Sequence, residues 1–400
     1  MSKRYQGGIL GVGFNPLQAP NAPTAVTAAG GDASATVTFT APTNVGGSAI
    51  TGYTGQSNPG GIAATASASP LAFSGLTNGT SYTFNVWALN SYGPSPAGGP
   101  SGSVTPVSIR GVFAGGQNGS TGINVISYVT ITATGNATDF GDLTNPVSRA
   151  PGGCASLTRG LIGGGDENVA GTVNVIQYIT IASVGNAIDF GDLTVARRDT
   201  TACNSSTRGV WGGGETGSQS NVIDYVTIAT TGNATDFGDL TVARWALAAC
   251  SSSTRGVFAG GVDGAAAVNN IDYITIASAG NATDFGDLTA ATNALASCSS
   301  STRGIWGGGS AGSVTNVIAY VTIASTGNAT DFGDLTVARR DLAACSNSTR
   351  GLFGGGLAGS VTNVIDYVTI ASVGNALDFG DLTIAVSQLC ALSNANGGLS

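Results

Sequence analysis

Apolar residues alternate with small polar residues along two segments near the N-terminus, residues 35–40 and 82–88. A period of two places every second side chain on the same face of an extended strand. Turn-forming glycine and asparagine residues separate the strand-like segments, as at residues 46–47 and 78–79. The pattern predicts a small antiparallel β-sandwich over residues 19–106.

The spacing of individual residues in this region resembles that of a fibronectin type III domain. The residues that carry the resemblance are Phe39, Pro42, Gly46, Gly47, Ile50, Tyr53 and the segments 76–82 and 90–93. Phe39 stands where members of the family often have a tryptophan. The resemblance implies that Tyr82 is the corner tyrosine of the sandwich. The period of two turns Trp87 away from the core, where it is either exposed or in contact with another domain or subunit.

From residue 107 onward the chain repeats a unit of 47 to 50 residues six times. Each unit contains an Arg-Gly pair before a glycine doublet, then a tyrosine, then Asp-Phe-Gly-Asp-Leu, then a cysteine. A period in this range is typical of propellers and other repeat architectures. The landmarks are Arg110, Arg159, Arg208, Arg255, Arg303 and Arg350; Tyr128, Tyr178, Tyr225, Tyr273, Tyr320 and Tyr367; Asp139, Asp189, Asp236, Asp284, Asp331 and Asp378; and Cys154, Cys203, Cys250, Cys298, Cys345 and Cys390.

Four short strand-like segments separated by turns occupy each unit. In the last complete unit they are residues 341–345, 352–355, 364–370 and 378–382. Such a unit is typical of one four-stranded propeller blade. The glycine doublet, the tyrosine and the later aromatic residue resemble the kelch repeat, with phenylalanine where kelch repeats usually have tryptophan. The resemblance implies that the cysteine-bearing strand is the innermost strand of its blade.

The two ends of the repeat region complement each other. The first unit lacks a cysteine-bearing strand before Arg110, and the last unit ends with an additional one, residues 386–391. Pairing of this strand with the first unit would complete six blades without an open edge. The sequence therefore predicts an all-β protein: a fibronectin type III-like sandwich, residues 19–106, followed by a six-bladed kelch-like β-propeller, residues 107–400, closed by the C-terminal strand. Residues 1–18 are interpreted as an N-terminal attachment segment.

The lengths of the connections predict a binding face. In the five complete cases each cysteine lies five positions before the next arginine, and each tyrosine lies eleven positions before the first residue of Asp-Phe-Gly-Asp-Leu. The segment after the glycine doublet varies, and so does the connection from Leu to cysteine, which takes eight to eleven residues. Both variable connections leave a four-stranded antiparallel blade on the same face, and binding surfaces are usually built from variable loops on a rigid scaffold. Unconstrained loop drift would give the same pattern. The candidate binding-face residues are Asp166, Glu167, Arg198, Glu215, Trp245, Asp263 and Arg340.

The composition removes many enzyme classes. The chain has no histidine, so it has no Ser-His-Asp triad, no Cys-His nucleophile pair and no imidazole ligand for a metal. Enzymatic kelch proteins of the galactose oxidase kind need histidine ligands for copper and are excluded with them.

The charge and hydropathy patterns limit the partners. With 14 basic and 22 acidic residues the net charge is −8, so a nucleic-acid-binding surface is not expected. No apolar run is long enough to span a bilayer, and the N-terminus has no signal-peptide core. We therefore expect a soluble protein that is not secreted by a cleaved signal.

Twelve of the 22 acidic residues are the aspartates of the Asp-Phe-Gly-Asp segments. Two roles are open for them: calcium binding, or turn capping together with ion pairs to the arginines of the Arg-Gly pairs. Paired carboxylates also serve glycoside hydrolysis, but identical pairs in every repeat favour a scaffold role. We therefore predict no catalytic residues, no metal site and no cofactor.

Six cysteines permit three disulfides by number. Because each would occupy the same place in its blade, the sulfurs would not face one another, and we predict buried free thiols. A metal-binding thiolate ring near the axis is the alternative. The glycosylation pattern occurs at Asn136, Asn233, Asn281 and Asn328, which we interpret as turn residues.

A fibronectin type III-like sandwich joined to Gly-, Ala-, Ser- and Thr-rich β-repeats with a single lysine, Lys3, resembles virion proteins of tailed bacteriophages, especially marine phages. The resemblance implies a non-enzymatic structural protein, either a tail fibre or a decoration of the tail or capsid. Such a protein is assembled in the host cytoplasm and exposed on the virion surface in multiple copies.

The same resemblance implies two kinds of partner. The N-terminal segment and the sandwich would bind other virion proteins, and the propeller would bind host-surface glycans or receptors, with avidity from many copies. Neither nucleic acid nor a membrane is an expected partner. The alternatives are a bacterial surface adhesin and a glycan-cleaving propeller enzyme.

Overall fold

The computed structural model describes residues 17–168 and 170–395. Apart from its last two residues, the predicted attachment segment 1–18 lies outside this range. The chain divides into two compact units between Ser108 and Ile109. All regular secondary structure in the described residues is β-strand, so none of it is a helix that could cross a membrane. The chain is an all-β protein.

The N-terminal unit contains two antiparallel sheets. Alternate residues of each strand form the core, in which Val37, Leu71, Phe84 and Val86 are fully buried. The buried face is the one that the period of two predicts. The three-stranded sheet consists of Thr24–Gly31, Ser34–Thr40 and Leu71–Ser74, and the four-stranded sheet of Ala63–Ala66, Gly52–Asn58, Thr83–Asn90 and Gly93–Pro94.

Tyr82 is buried, and its hydroxyl accepts a hydrogen bond from the backbone N–H of Thr77 at 3.0 Å. This is the geometry of a corner tyrosine, so that prediction is confirmed. Phe39 packs against Tyr53 with ring centroids 4.7 Å apart. Trp87 is half-buried on the face opposite to the core, as the period of two predicts.

The described part of the second unit contains six antiparallel sheets of four or more strands and one two-stranded sheet, and in sheets 2 to 6 the four strands lie in chain order. Sheet 2 consists of Gly152–Ala155, Arg159–Gly163, Val175–Thr180 and Ile188–Asp192; sheet 3 of Thr201–Asn204, Arg208–Gly212, Val222–Thr227 and Thr235–Asp239; sheet 4 of Ala248–Ser251, Arg255–Ala259, Asn270–Thr275 and Thr283–Asp287; sheet 5 of Ala296–Ser299, Arg303–Gly307, Val317–Thr322 and Thr330–Asp334; and sheet 6 of Ala343–Ser346, Arg350–Gly354, Val364–Thr369 and Leu377–Asp381.

Sheet 1 combines the two ends of this unit. Its first strand is C-terminal, and it pairs with the strand that begins at Arg110. The predicted pairing is therefore confirmed, over residues 390–393 instead of 386–391. The strands of sheet 1 are Cys390–Ser393, Arg110–Ala114, Thr121–Thr130 and Thr138–Ser148, extended by Asp166–Glu167 and Gly171–Thr172; the short strand Gln117–Asn118 also pairs with Thr121–Thr130. A separate two-stranded sheet consists of Leu357–Ala358 and Ser360–Val361.

The register of the C-terminal strand corrects one landmark of the repeats. Cys345 of sheet 6 pairs with Leu352, and the corresponding pair in sheet 1 is Leu392 with Val112. Cys390 lies two residues before Leu392. Residues two apart on a strand point to the same face, so Cys390 faces the same side of the sheet as Leu392. Counted to Leu392, the connection from the preceding leucine takes ten residues in five repeats and eleven in the first. The predicted variation of eight to eleven residues is therefore wrong, as is the equivalence of all six cysteines.

At four of the six contacts between neighbouring sheets, an aromatic residue of one sheet packs on a glycine of the sheet before it; sheets 1 and 4 have Ala114 and Ala259 in place of that glycine. A Cβ at Gly212 would lie 2.5 Å from the ring of Phe258 in the next sheet, so only glycine leaves room for the ring. Phe113 of sheet 1 meets Gly354 of sheet 6 in the same way. Sheet 6 therefore packs on sheet 1 as sheets 2, 3 and 5 pack on the sheets that follow them.

The arginine of each Arg-Gly pair links its own sheet to the next. Arg208 lies over the ring of Tyr225, with Cζ 4.4 Å from the ring centroid, and its Nη1 donates to the Ile276 carbonyl of sheet 4 at 2.8 Å. Both contacts recur at all six arginines, and Arg350 of sheet 6 donates to Ile131 of sheet 1. The predicted ion pairs between these arginines and the Asp-Phe-Gly-Asp segments are therefore wrong.

The fourth strand of each sheet is covered by a turn of the following sheet. The N–H of Asp239 donates to Oδ1 of Asn281 at 3.1 Å, and Ala282 donates to the Asp239 carbonyl at 2.8 Å. The N–H of Asp381 in sheet 6 donates to Oδ1 of Asn136 in sheet 1 in the same way, at 3.1 Å. The interpretation of these asparagines as turn residues is confirmed, and they cover backbone groups that an edge strand would otherwise expose.

The glycine of Asp-Phe-Gly-Asp is required by this contact. Gly238 has φ of 143°, and a Cβ there would lie 2.6 Å from the backbone of Gly280 in the next sheet. Both the left-handed conformation and the close approach favour glycine.

Candidate functional site

The connection into the first strand of each sheet contains a residue with a left-handed backbone, at φ between 48° and 57°. We call these six residues the inner ring: Arg149, Asp199, Ala246, Ala294, Asp341 and Gln388. In five of the six sheets, the N–H of the inner-ring residue donates a hydrogen bond to the carbonyl of the inner-ring residue of the preceding sheet; for example, Ala246 donates to Asp199 at 3.1 Å. The N–H of Ala150, before sheet 2, donates to the carbonyl of Gln388, before sheet 1, at 2.8 Å. Backbone bonds therefore hold the inner ring in place independently of its side chains.

The residue before each inner-ring residue pairs with the loop that follows a glycine doublet. We call these six residues the display ring: Ser148, Arg198, Trp245, Asn293, Arg340 and Ser387. Their backbone partners are, in the same order, Asp166, Glu215, Val262, Ser310, Leu357 and Gln117. The two connections that the sequence places on one face therefore lie side by side.

A cavity of about 130 Å³ lies between the first strands of the six sheets. Its lining includes Ala150, which follows the inner-ring residue Arg149, small residues such as Ala202 and Ala249, and all six cysteines. Every cysteine is free and buried, as predicted. Burial raises the pKa of Cys203 and Cys298 to about 12, which favours the neutral thiol over a metal-binding thiolate.

Three buried ion pairs lie directly behind the display ring. The arginines of Arg197–Asp224, Arg244–Asp272 and Arg339–Asp366 have Nη2 at 2.8, 3.0 and 3.0 Å from a carboxylate oxygen, and all six side chains are fully buried. A threonine hydroxyl also donates to each aspartate. Burial lowers the pKa of the three guanidinium groups, and the paired aspartate opposes that shift.

Sequence reasoning missed these pairs, although the repeats contain the signal. Sheets 3, 4 and 6 have arginine before the display ring and aspartate in the third strand. At these two positions sheet 5 has Thr292 and Ala319, sheet 2 has Val147 and Gln177, and sheet 1 has Val386 and Ser127. Arginine and aspartate thus occur together, 27 or 28 residues apart, or not at all.

Three of the predicted site residues form one charged network. Arg198 lies 2.9 Å from Glu215 and 3.3 Å from Asp166, and Arg149 reaches the same Asp166 oxygen at 3.2 Å. These side chains are between 15% and 47% exposed. Asp166 and Glu215 belong to the loops after the glycine doublets of sheets 2 and 3, and Arg149 and Arg198 to the connections before and after sheet 2, so the network joins these four segments.

Asp199 is buried and lies next to Arg198 of this network. Its Oδ2 is 3.9 Å from Nε of Arg198. Burial raises the pKa of Asp199 to about 7; Arg149 and Arg198 oppose the shift, and Asp341 and Glu215 add to it. The inner ring therefore carries a carboxyl group that titrates near neutral pH.

The other four predicted site residues lie outside the network. Glu167 accepts a hydrogen bond from Asn145 at 3.2 Å, and Asp263 accepts the N–H groups of Ala265 and Ala266. Trp245 and Arg340 are display-ring residues of sheets 4 and 6. All seven residues belong to the connections predicted to share a face, but among the described residues only Asp166, Arg198 and Glu215 of the seven are joined to one another by ion pairs.

The aspartates of the Asp-Phe-Gly-Asp segments lie on the fourth strands, the first of each pair exposed and the second half-buried. Across residues 17–168 and 170–395, no three His, Cys, Asp or Glu side chains are grouped so that they could hold a metal ion.

Comparison with known families identifies part of the chain. Residues 21–103 match the family model of the fibronectin type III domain. Comparison with curated proteins gives no match. The corner tyrosine and the two-sheet core agree with the family match. The N-terminal unit therefore contains a fibronectin type III domain.

Proposed function

We propose that the second unit is a six-bladed, kelch-like β-propeller that displays a binding face and has no enzymatic activity. Three series of hydrogen bonds support the ring: the inner-ring backbone bonds, the arginine bonds and the asparagine bonds. Each series links sheet 6 to sheet 1, through Gln388 to Asp341, Arg350 to Ile131 and Asp381 to Asn136.

A deletion tests the closure. Removing residues 386–400 takes away the first strand of sheet 1 and its bonds to Arg110–Ala114. We expect a clear loss of thermal stability in the second unit, compared with a control truncated after residue 395, which keeps this strand. Equal unfolding temperatures for the two truncations would contradict a closed ring.

One observation carries the display function. The six repeats are nearly identical in their arginine, glycine doublet, tyrosine and Asp-Phe-Gly-Asp-Leu, whereas the display ring holds serine, arginine, tryptophan and asparagine on the same backbone. A constant scaffold that varies its side chains at one ring is typical of a binding surface.

We further propose that the chain is a virion protein of a tailed phage, as a tail fibre or a decoration of the tail or capsid. In this proposal the fibronectin type III domain contacts other virion proteins, and multiple propellers on one particle bind host-surface glycans or receptors with avidity. The family match of residues 21–103 and the composition of the repeats support the proposal.

Binding to host cells and to a glycan panel tests the display function. We expect the variant R198S/W245S/N293S/R340S, which gives every sheet the serine of sheets 1 and 2, to lose binding without losing stability. The control T235S/T283S/T330S changes exposed residues of the fourth strands and should bind normally. Equal binding by both variants would reject the display ring as the contact surface.

Two further measurements test the remaining parts of the proposal. Antibody labelling of virions in the electron microscope should place the chain on the particle surface, and virions without label would reject a virion role. Incubation with the same glycans should release no cleaved product, and release that D189N or D284N abolishes would establish an enzyme instead.

A further inference from the structure

Trp245 differs from the other two tryptophans of the second unit. Trp211 and Trp306 are at most 2% exposed, and their indole N–H groups donate to backbone carbonyls of Gly152 and Ala248. Trp245 is only half-buried and belongs to none of the buried clusters formed by the described residues. A large aromatic side chain is thus left with accessible apolar surface on the display ring.

The backbone that carries Trp245 is rigid. Trp245 and Val262 exchange two hydrogen bonds, at 3.2 and 2.9 Å. The preceding residue, Arg244, is held in its buried pair with Asp272, and the following residue donates to the Asp199 carbonyl. A ligand that stacks on this indole would therefore order little of the backbone on binding, which favours affinity.

Hydrogen-bond acceptors occur in the loop that pairs with Trp245 and in the corresponding loop of sheet 3. Asp263 directly follows the backbone partner of Trp245, and its carboxylate is exposed while two N–H groups hold it in place. The side chain of Gln219 approaches Gly264 in the same loop, and Glu215 pairs with the neighbouring display residue, Arg198. An indole beside carboxylate and amide oxygens suits a sugar, whose C–H face stacks on the ring while its hydroxyls donate to the oxygens.

The charges around Trp245 select among sugars. Glu215 and Asp263 are acidic, the adjacent Arg244 is buried in its pair with Asp272, and the neighbouring display residue Arg198 is engaged by Glu215 and Asp166. The whole chain carries a net charge of −8. A carboxylated or sulfated sugar would meet like charge here without a free cation to bind it.

We infer that Trp245 is the stacking platform of a subsite for a neutral hexose residue, with Asp263 and Gln219 as its hydroxyl acceptors. The inference rests on the proposed display function and narrows it to one side chain and one class of glycan.

The test uses the full chain and titrates it with neutral galactose-, glucose- and mannose-based oligosaccharides and with their uronic-acid or sialylated counterparts. Affinity is measured by calorimetry and by tryptophan fluorescence. We expect binding of a neutral oligosaccharide, about tenfold weaker binding by W245N, and about threefold weaker binding by W245F, which keeps an aromatic ring. W245N places in sheet 4 the asparagine that sheet 5 has at position 293, so its unfolding temperature should be close to that of the unmodified chain.

The outcomes separate the two proposals. A chain that binds no host cell and no glycan rejects the proposed function and the subsite together. Neutral-glycan binding that W245N leaves unchanged overturns the subsite and leaves the display function standing. Preference for the carboxylated glycans overturns the assignment to a neutral hexose. Tetramethylammonium, a cation that stacks on indole rings, is titrated as a further probe; binding of this cation but of no sugar also overturns the assignment.

Discussion

Sheets 3, 4 and 6 and sheets 1, 2 and 5 share one backbone but fill the space behind the display ring differently. The first group buries a guanidinium against a carboxylate, as Arg244 against Asp272. The second group has no charge there: in sheet 2, Gln177 accepts the bonds of Thr144, and in sheet 5 the two positions hold Thr292 and Ala319.

The difference shows which features the fold requires. The bonds of the inner ring occur in both groups, so the buried pair is not needed to place the display residue. A single charge never occurs alone, because a buried ion without its partner costs far more than the pair or the neutral combination. The ion pair is thus one of several side-chain combinations that the fold accepts behind the display ring.

Removing one charge should have the largest effect. In D272A the fully buried guanidinium of Arg244 loses its carboxylate, and we expect the second unit to lose about 3–5 kcal/mol of stability in urea unfolding. The matched change D284A removes an exposed aspartate of the same sheet and should cost less than about 0.5 kcal/mol. Similar losses in the two variants would show that the pair at sheet 4 is not buried as described.

The comparison also explains what the sequence could and could not predict. The repeats follow from spacing alone, whereas the corner tyrosine follows from the resemblance to the fibronectin type III domain and the free cysteines from the place of each cysteine in its repeat. Arg197 and Arg198 are adjacent and chemically identical, so composition cannot show that the first is buried and the second is on the surface. The spacing of the cysteines does not predict the register of the C-terminal strand, because this position needs only an apolar side chain and sheet 1 has Leu392 there, two residues after Cys390.

The inner ring gives a second comparison, between Asp199 of sheet 3 and the alanines of sheets 4 and 5. The folded-state pKa of Asp199, about 7, is above its ordinary value of 3.8, so the folded chain binds the proton more tightly than the unfolded chain. The stabilisation is complete below about pH 4 and is lost as the pH rises towards 7. The total change is at most about 4 kcal/mol.

D199A, which copies Ala246 and Ala294, should remove this part of the pH dependence. The measurement is the urea midpoint at pH 4, 5, 6, 7 and 8 for both proteins. The stability of the unmodified chain relative to D199A should fall between pH 4 and 7. A difference that stays constant across this range would show that Asp199 does not titrate there.

A contact common to both groups should show a smaller and uniform effect. R208A removes the stacking on Tyr225 and the bond to the Ile276 carbonyl, and we expect a loss of about 1–3 kcal/mol. R159A makes the same change in sheet 2, which has no buried pair, and should lose a similar amount. The measurement is urea unfolding of both variants. Clearly unequal losses of stability would show that the contribution of this arginine depends on the buried ion pair.

Exchanging both members of a pair should have the smallest effect. R244T/D272A gives sheet 4 the threonine and alanine of sheet 5, which already fill this space without charge. Nε and Nη1 of Arg244 have no hydrogen-bond partner, so this pair is less completely bonded than Arg197–Asp224, whose Nη1 donates to a carbonyl. Removing it relieves the burial of those donors, and we expect a stability within about 1 kcal/mol of the unmodified chain. A loss as large as that of D272A would mean that the ion pair itself, and not only the avoidance of a lone charge, stabilises sheet 4.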